Sequence, residues 1–370
     1  MRGMSIAPER PLRRGWTTGA CAAAAARAAL QALLTGRFPD PVAISLPGGS
    51  QPSFPLALRE RRANSARAGV TKDAGDDPDV THGALVIAEV ARGGIGSGLV
   101  FCAGEGVGTV TRPGLAVEVG EPAINPGPRA MIRDALGAAA VAAGKPVPVD
   151  LEVTLSIPGG EALAAKTLNA RLGVVGGLSV LGTTGIVIPY SCSSWIHAIH
   201  RGIDVARAAG LAHLAAATGR SSEQAVQRLY GLSEVALIDM GDFVGAVLKY
   251  LRRHPVERLT LAGGPGKLVK LAQGELDLHS ARSRVDAEGL AALLRESEAP
   301  ASAVALAAHG AGVSETMAAL GPEQGARLAK AIAERAREAA LATLAGGTSV
   351  DVAIFDRNGN LLARSGIEQS

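Results

Sequence analysis

The segment Lys72-Asp-Ala-Gly-Asp-Asp-Pro-Asp-Val-Thr81 is the densest polar cluster in the chain. Its four aspartates within seven residues, Asp73, Asp76, Asp77 and Asp79, are of the kind that binds a hard cation or serves as acid/base groups. So many like charges repel one another unless a cation or hydrogen bonds compensate, and Lys72 is the nearest counter-charge in sequence. A calcium loop does not fit, because Pro78 interrupts the run and no Glu closes it. A plain solvated turn, started at Asp77-Pro78, is the alternative.

A second set of candidates lies on Gly-rich or polar turns: Gly182-Thr-Thr-Gly185, Thr218-Gly219-Arg220, Asp239-Met-Gly241 and Gly263-Gly-Pro-Gly-Lys267. Glycine lets a ligand approach the backbone, and helix starts offer unpaired N–H groups to anions. The last turn is no phosphate loop. Its spacing is wrong, and Leu268 stands where a magnesium-binding hydroxyl belongs, which disfavours a kinase-like enzyme. Gly176-Gly177 lacks the spacing of a nicotinamide site. Two further Gly- and Pro-punctuated loops, 104–114 and 121–129, carry Arg112 and Arg129, candidates for substrate carboxylates or for surface ion pairs.

His197 and His200 share one face of a helix, yet no third metal ligand is spaced convincingly, so no metal site is assigned. No Ser-His-Asp arrangement is readable. Cys21, Cys102 and Cys192 are far apart and form no C-x-x-C. They support neither a disulfide framework nor structural zinc.

The elements that must position these residues change character along the chain. Residues 1–14 read as a basic lead-in, and Thr17-Thr18-Gly19 opens a helix to about Leu34 with a threonine cap. Ala22, Ala26, Ala29, Leu30 and Leu33 give that helix an amphipathic pattern. Strands are expected at 85–90, 99–103 and 149–157, and a helix at 128–143. Beyond about Leu172, short apolar strands at 211–217, 235–240 and 259–262 alternate with helices at 221–230, 243–253 and 267–273. A helix-rich stretch at 287–344 then leads to a strand at 349–355. The expected fold is an α+β domain, 1–165, followed by an α/β domain, 166–370, with a mostly parallel, Rossmann-like sheet.

Composition narrows the function classes. The chain has 370 residues, 47% hydrophobic and 19% charged, with a net charge of +3. That excludes disorder and gives no basic stripe for nucleic acid. The 5 Phe, 3 Tyr and 2 Trp offer few stacking platforms for single strands. No apolar run is long enough to span a membrane. Arg13-Arg14 before the alanine run imitates a twin-arginine signal, but Arg27 breaks the run, and a cytoplasmic protein is expected. Glycine, at 47 residues, is about twice its usual share.

Seven blocks in order carry a resemblance. They are Arg14-Gly-Trp-Thr-Thr-Gly19, Lys72-Asp-Ala-Gly-Asp-Asp-Pro-Asp79, Gly104-Glu-Gly-Val-Gly108 and Gly120-Glu-Pro-Ala-Ile-Asn-Pro126, then Asn169-Ala-Arg-Leu-Gly173, the Gly176-Gly-Leu-Ser-Val-Leu-Gly-Thr-Thr-Gly-Ile-Val187 run, and Gly266-Lys-Leu-Val-Lys-Leu-Ala272. With them the chain resembles the cobalt-precorrin-5B C1-methyltransferase (CbiD) family of cobalamin biosynthesis. It departs at Pro265, where a histidine is usual, at Ala170 for proline, and at Leu276-Asp-Leu-His-Ser280.

The resemblance implies two dissimilar domains and methylation of C1 of the cobalt-containing macrocycle, giving cobalt-precorrin-6A, with S-adenosyl-L-methionine as methyl donor. For such a reaction, macrocycle contacts are expected from Thr17, Thr18, Lys72, Arg112, Arg129, Arg171 and Lys267. Gly182, Thr183, Thr184, Gly185 and Asp239 would face the donor, with Asp239 on its ribose. Asp73, Asp76 and Asp77 are acid/base or orienting candidates. A tetrapyrrole-binding or delivery protein without catalysis is the alternative. Homo-oligomerisation and transient contact with other cobalamin pathway enzymes stay open.

Overall fold

The alanine-rich run becomes the central element of the N-terminal half. Thr17 caps helix α1 (Thr18–Thr35), its Oγ1 accepting from the Ala20 amide at 3.2 Å. The amphipathic pattern does not hold: residues 20–26 and 28–30 are buried apart from Arg27. Helix α2 (Pro126–Ala142) packs on α1, and a sheet packs on it as well. A helix apolar nearly all round is a core helix, and alanine keeps its neighbours close.

The computed structural model describes residues 11–146 and 148–366, so most of the basic lead-in (1–10) lies outside the described residues. The chain divides into two units, one ending at Cys192 and the other starting at Ser193. In the first, strands β1 (Gly15–Trp16), β2 (Val42–Ala43), β3 (Ser53–Phe54) and β4 (Leu58–Arg61) precede β5 (Ser65–Thr71), β6 (Leu85–Arg92) and β7 (Leu99–Ala103). Strands β8 (Thr109–Val110), β9 (Leu151–Ser156), β10 (Val174–Val175) and β11 (Ile186–Val187) follow, with short helices α3 (Gly160–Ala164) and α4 (Asn169–Leu172). The main sheet has the order β4-β5-β6-β9-β7, antiparallel except for β7 beside β9. Ala66, Ala68, Val86, Ala88 and Leu155 of this sheet join the α1 core.

Strand β10 pairs with β8, and β11 pairs with β1. These pairings attach residues 174–187 to the first unit, which is why it extends past the expected boundary at 165/166.

In the second unit, α5 (Cys192–Ala208) starts at the junction. It leads to β12 (His213–Ala217), α6 (Arg220–Tyr230), a 3-10 turn (Glu234–Ala236) and β13 (Leu237–Asp239). Then come α7 (Val244–Leu251), β14 (Arg258–Gly263), α8 (Pro265–Ala272), α9 (Ala287–Glu296) and α10 (Ala301–Ala308). Helix α11 (Val313–Leu344), kinked at Gly321-Pro322, precedes β15 (Ser349–Phe355) and β16 (Leu361–Ser365).

The sheet order is β13-β12-β14-β15-β16, the first four strands parallel and β16 antiparallel to β15. Ala225 and Val226 of α6 cover one face; α7, α8, α9 and α11 supply the larger core on the other. The fold is therefore mixed, with parallel and antiparallel sheets. Among the described residues no helix is long and apolar enough to cross a membrane.

Candidate active site

A helix start leaves backbone N–H groups without helical partners, and in the first unit a loop closes over one. The Thr17 amide donates to the Gly185 carbonyl at 3.0 Å and the Gly19 amide to the Leu181 carbonyl at 3.1 Å. Gly182, at φ +120°, lies so close to Thr17 that a Cβ there would stand 2.4 Å from the threonine side chain. Gly127, in the first turn of α2, borders the same loop, within van der Waals reach of the Gly182 carbonyl. Thr183 and Thr184 are exposed, and Thr184 Oγ1 accepts from the Ile186 amide at 3.2 Å. Thr17 and Thr18 are buried at the helix start.

The aspartate segment runs beside β1. The Trp16 amide donates to the Asp73 carbonyl at 2.7 Å. The two segments cross so closely that a Cβ on Gly15 would lie 2.0 Å from the Ala74 backbone, and one on Gly75 would lie 2.2 Å from the Arg13 carbonyl. Arg13 grips Asp73 with both terminal nitrogens, at 2.5 and 2.8 Å. Its backbone amide donates to Asp76 Oδ2 at 2.6 Å, and the Asp76 amide donates back to the Arg13 carbonyl at 3.0 Å. The Arg13 hydrogen bonds, then the Gly75 amide, hold the Asp73 carboxyl down at about 2.

Asp77 Oδ1 accepts from the Tyr190 amide at 2.9 Å. Tyr190 is exposed and sits at φ +56°, a left-handed conformation uncommon for a residue with a side chain. Lys72 is buried, its Nζ donating to Asp79 and, at 2.5 Å, to Thr81 Oγ1. Burial pushes the Asp79 carboxyl up, but the Lys72 charge and the Lys72 and Thr81 hydrogen bonds more than reverse this. One region thus gathers Thr17, Thr18, Asp73, Asp76, Asp77 and residues 182–185. Lys72 is enclosed in the fold, its ammonium engaged by Asp79 and Thr81. Among the described residues no three His, Cys, Asp or Glu side chains are grouped to hold a metal ion.

The remaining expected residues lie elsewhere. Arg112 donates to the Arg171 carbonyl at 3.2 Å, so these two are neighbours. Arg129 is half-buried over the Phe101 ring at 5.2 Å and donates to Glu121, Pro122 and Ile124. In the second unit, Asp239 ends β13. Lys267 lies in the first turn of α8, its Nζ 2.5 Å from Asp242 Oδ1 and 3.2 Å from the Leu278 carbonyl. The turn 182–185 belongs to the first unit, whereas Asp239 and Lys267 belong to the second. Helix α5 carries His197 and His200, and His200 stacks on Tyr250 with ring centroids 4.0 Å apart.

Arg13, Tyr190 and Trp195 are structurally prominent but absent from the expected set. Arg13 was visible only as half of an arginine pair, because its carboxylate partner is 60 residues away. An aromatic residue in a chain so poor in them was the available signal for the other two.

The CbiD family model matches residues 5–189 and the model for the CbiD C-terminal domain matches residues 277–366. A protein of Paramagnetospirillum magneticum named cobalt-precorrin-5B C(1)-methyltransferase is 56% identical over 96% of this chain and 99% of its own length. One of the same name from Bradyrhizobium sp. is 57% identical over 96% of this chain and 94% of its own. A crystal structure of a cobalamin biosynthesis protein (cbiD) from Archaeoglobus fulgidus shares 31% identity over 69% of this chain and 78% of that one, at a TM-score of 0.38. With both family models matching in order and relatives aligned nearly end to end, the chain belongs to the CbiD family.

Proposed function

We propose that this chain methylates C1 of cobalt-precorrin-5B, giving cobalt-precorrin-6A in corrin-ring assembly for cobalamin, and that its methyl donor is S-adenosyl-L-methionine. The observation that carries this reading is the likeness to cobalt-precorrin-5B C(1)-methyltransferases at 56–57% identity over 96% of the chain.

We read the second unit as a doubly wound, Rossmann-like domain, and its residues fit a nucleoside-bearing donor. In open α/β sheets ligands bind outside the carboxyl ends of the strands. Here β12 is followed by Thr218-Gly219, helix α6 and then β13, whose last residue is Asp239. An acidic residue about 20 positions beyond the glycine turn, at the end of the next parallel strand, is the arrangement that holds ribose hydroxyls. Asp239 is the residue we assign to that role.

When bound, the donor supplies an electrophilic methyl group on a sulfonium, for in-line displacement by a ring carbon. The chain's own task is to hold and orient the ligands and keep water out. In the first unit, Arg112, Arg129 and Arg171 are the cations we assign to macrocycle carboxylates. In the same unit, Thr17 and Thr18 shape the α1 start against residues 182–185, where exposed Thr183 and Thr184 are the hydroxyls we assign to ligand contact. Asp73, Asp76 and Asp77 act as orienting groups, because each has a carboxylate oxygen engaged by Arg13 or Tyr190.

Release of S-adenosylhomocysteine should require both the donor and cobalt-precorrin-5B. Binding of the macrocycle without product would reject catalysis in favour of a carrier. Unchanged rates in Asp76→Ala and Asp239→Ala would reject the residue assignments and leave the reaction standing.

A further inference from the structure

We propose that the indole of Trp195 is the shelf on which the purine of the methyl donor stacks. The proposal rests on the donor reading above and adds a residue that reading does not contain. Trp195 lies in the first turns of α5, and Ile199, Ile203 and Ala206 of that helix pack with Ile238 and Met240 at β13. This packing brings the start of the helix to the carboxyl end of the sheet. The indole Nε1 donates to the Asp239 carbonyl at 3.2 Å. The same ring rests against the backbone at Gly241, where a Cβ would come within 3.3 Å of it. Phe243 stands beside it with ring centroids 6.4 Å apart and planes inclined at 50°.

One hydrogen bond thus fixes the indole to the residue whose carboxylate is assigned to the ribose, yet 47% of Trp195 remains exposed. The indole is held in place by the backbone while a flat aromatic surface stays open to a ligand at the carboxyl end of the sheet. The occupant must suit a flat π-surface beside Asp239, the residue that ends the second strand of a parallel sheet. A purine nucleoside has both parts in the right order: a base for the indole and a ribose for Asp239. The macrocycle fits this place less well, since its peripheral carboxylates would meet the Asp239 charge.

Ligands without the sulfonium separate stacking on the base from attraction to its charge. S-adenosylhomocysteine and adenosine keep the purine and lack the charge, so both should depend on Trp195. Calorimetric titration of the full chain with S-adenosylhomocysteine should show weakening of roughly ten-fold or more in Trp195→Ala, within the range expected for loss of one base–aromatic stack, and most of it should return in Trp195→Phe. The chain has two tryptophans. Fluorescence quenching by S-adenosylhomocysteine should therefore survive in Trp16→Phe and vanish in Trp195→Phe.

Affinity within two-fold of wild type in Trp195→Ala, or quenching that persists in Trp195→Phe, would overturn the shelf while leaving the donor reading intact. Weakened binding of S-adenosylmethionine with unchanged binding of S-adenosylhomocysteine would reject the purine in favour of the sulfonium. Failure of the wild-type chain to bind either ligand would overturn the donor reading itself.

Discussion

Asp77 holds the amide of Tyr190, a residue in a left-handed conformation with its ring exposed. A carboxylate in that position fixes a strained backbone and does not need to carry a proton. Asp77→Ala should lower kcat/KM about ten-fold, the order expected for losing one charge-assisted hydrogen bond. Asp77→Asn, which keeps the acceptor oxygen, should recover most of it, whereas an acid/base role would make both variants equally poor. Cys21 gives a second test at this scale. Burial pushes its thiol up to about 12, so the native chain should resist alkylation at Cys21 near neutral pH and react there once unfolded; labelling followed by peptide mass mapping reads this directly. Charge density made the aspartates legible in the sequence. Their partners were not, because Arg13 and Tyr190 reach them across 60 and 113 residues respectively.

The 182–185 turn was expected within the α/β half, but β11, the strand that follows it, pairs with β1, and pairing across so long a separation leaves no local periodicity to read. Gly182→Ala places a side chain at φ +120° against Thr17, so a stability loss of about 2 kcal/mol or more is expected. It should appear as a lowered midpoint in urea with an unchanged slope. Strand and helix alternation made β12, α6, β13, α7, β14 and α8 readable to within a few residues. Strand β5 escaped notice because Ala66, Ala68 and Gly69 give it little apolar contrast, though its small residues admit α1. The amphipathic reading of α1 failed for the same reason: alanine marks both a modest surface and a tightly packed core.

For the molecule as a whole, the glycine excess and a buried ionic network are the features the sequence poses and the structure explains. Residues 93–127, 159–185 and 263–274 hold 21 of the 47 glycines, and in the first unit several mark places where one backbone lies against another. In the second unit, fully buried Asp351 accepts from Arg258 at 2.8 and 3.1 Å, from Tyr230 at 2.6 Å and from Thr260 at 2.8 Å. Burial raises its carboxyl, and these donors together bring it below the ordinary range. Because the folded value is lowered, its stabilisation is complete above the unfolded carboxylate pKa of about 3.9 and is lost as pH falls through the lower folded value. Asp351→Asn should cost about 3 kcal/mol near neutral pH, since it leaves Arg258 without its charge partner. The gap from wild type, measured by denaturant titration, should close below about pH 4.

Regiochemistry is the most direct test of the central claim. Turnover of cobalt-precorrin-5B with S-adenosylmethionine carrying a carbon-13 methyl group, followed by NMR of the isolated product, locates the transferred carbon. The account predicts a single enriched methyl at C1 in cobalt-precorrin-6A, with an equal amount of S-adenosylhomocysteine. Label at any other ring position, or binding of both ligands without transfer, would contradict it.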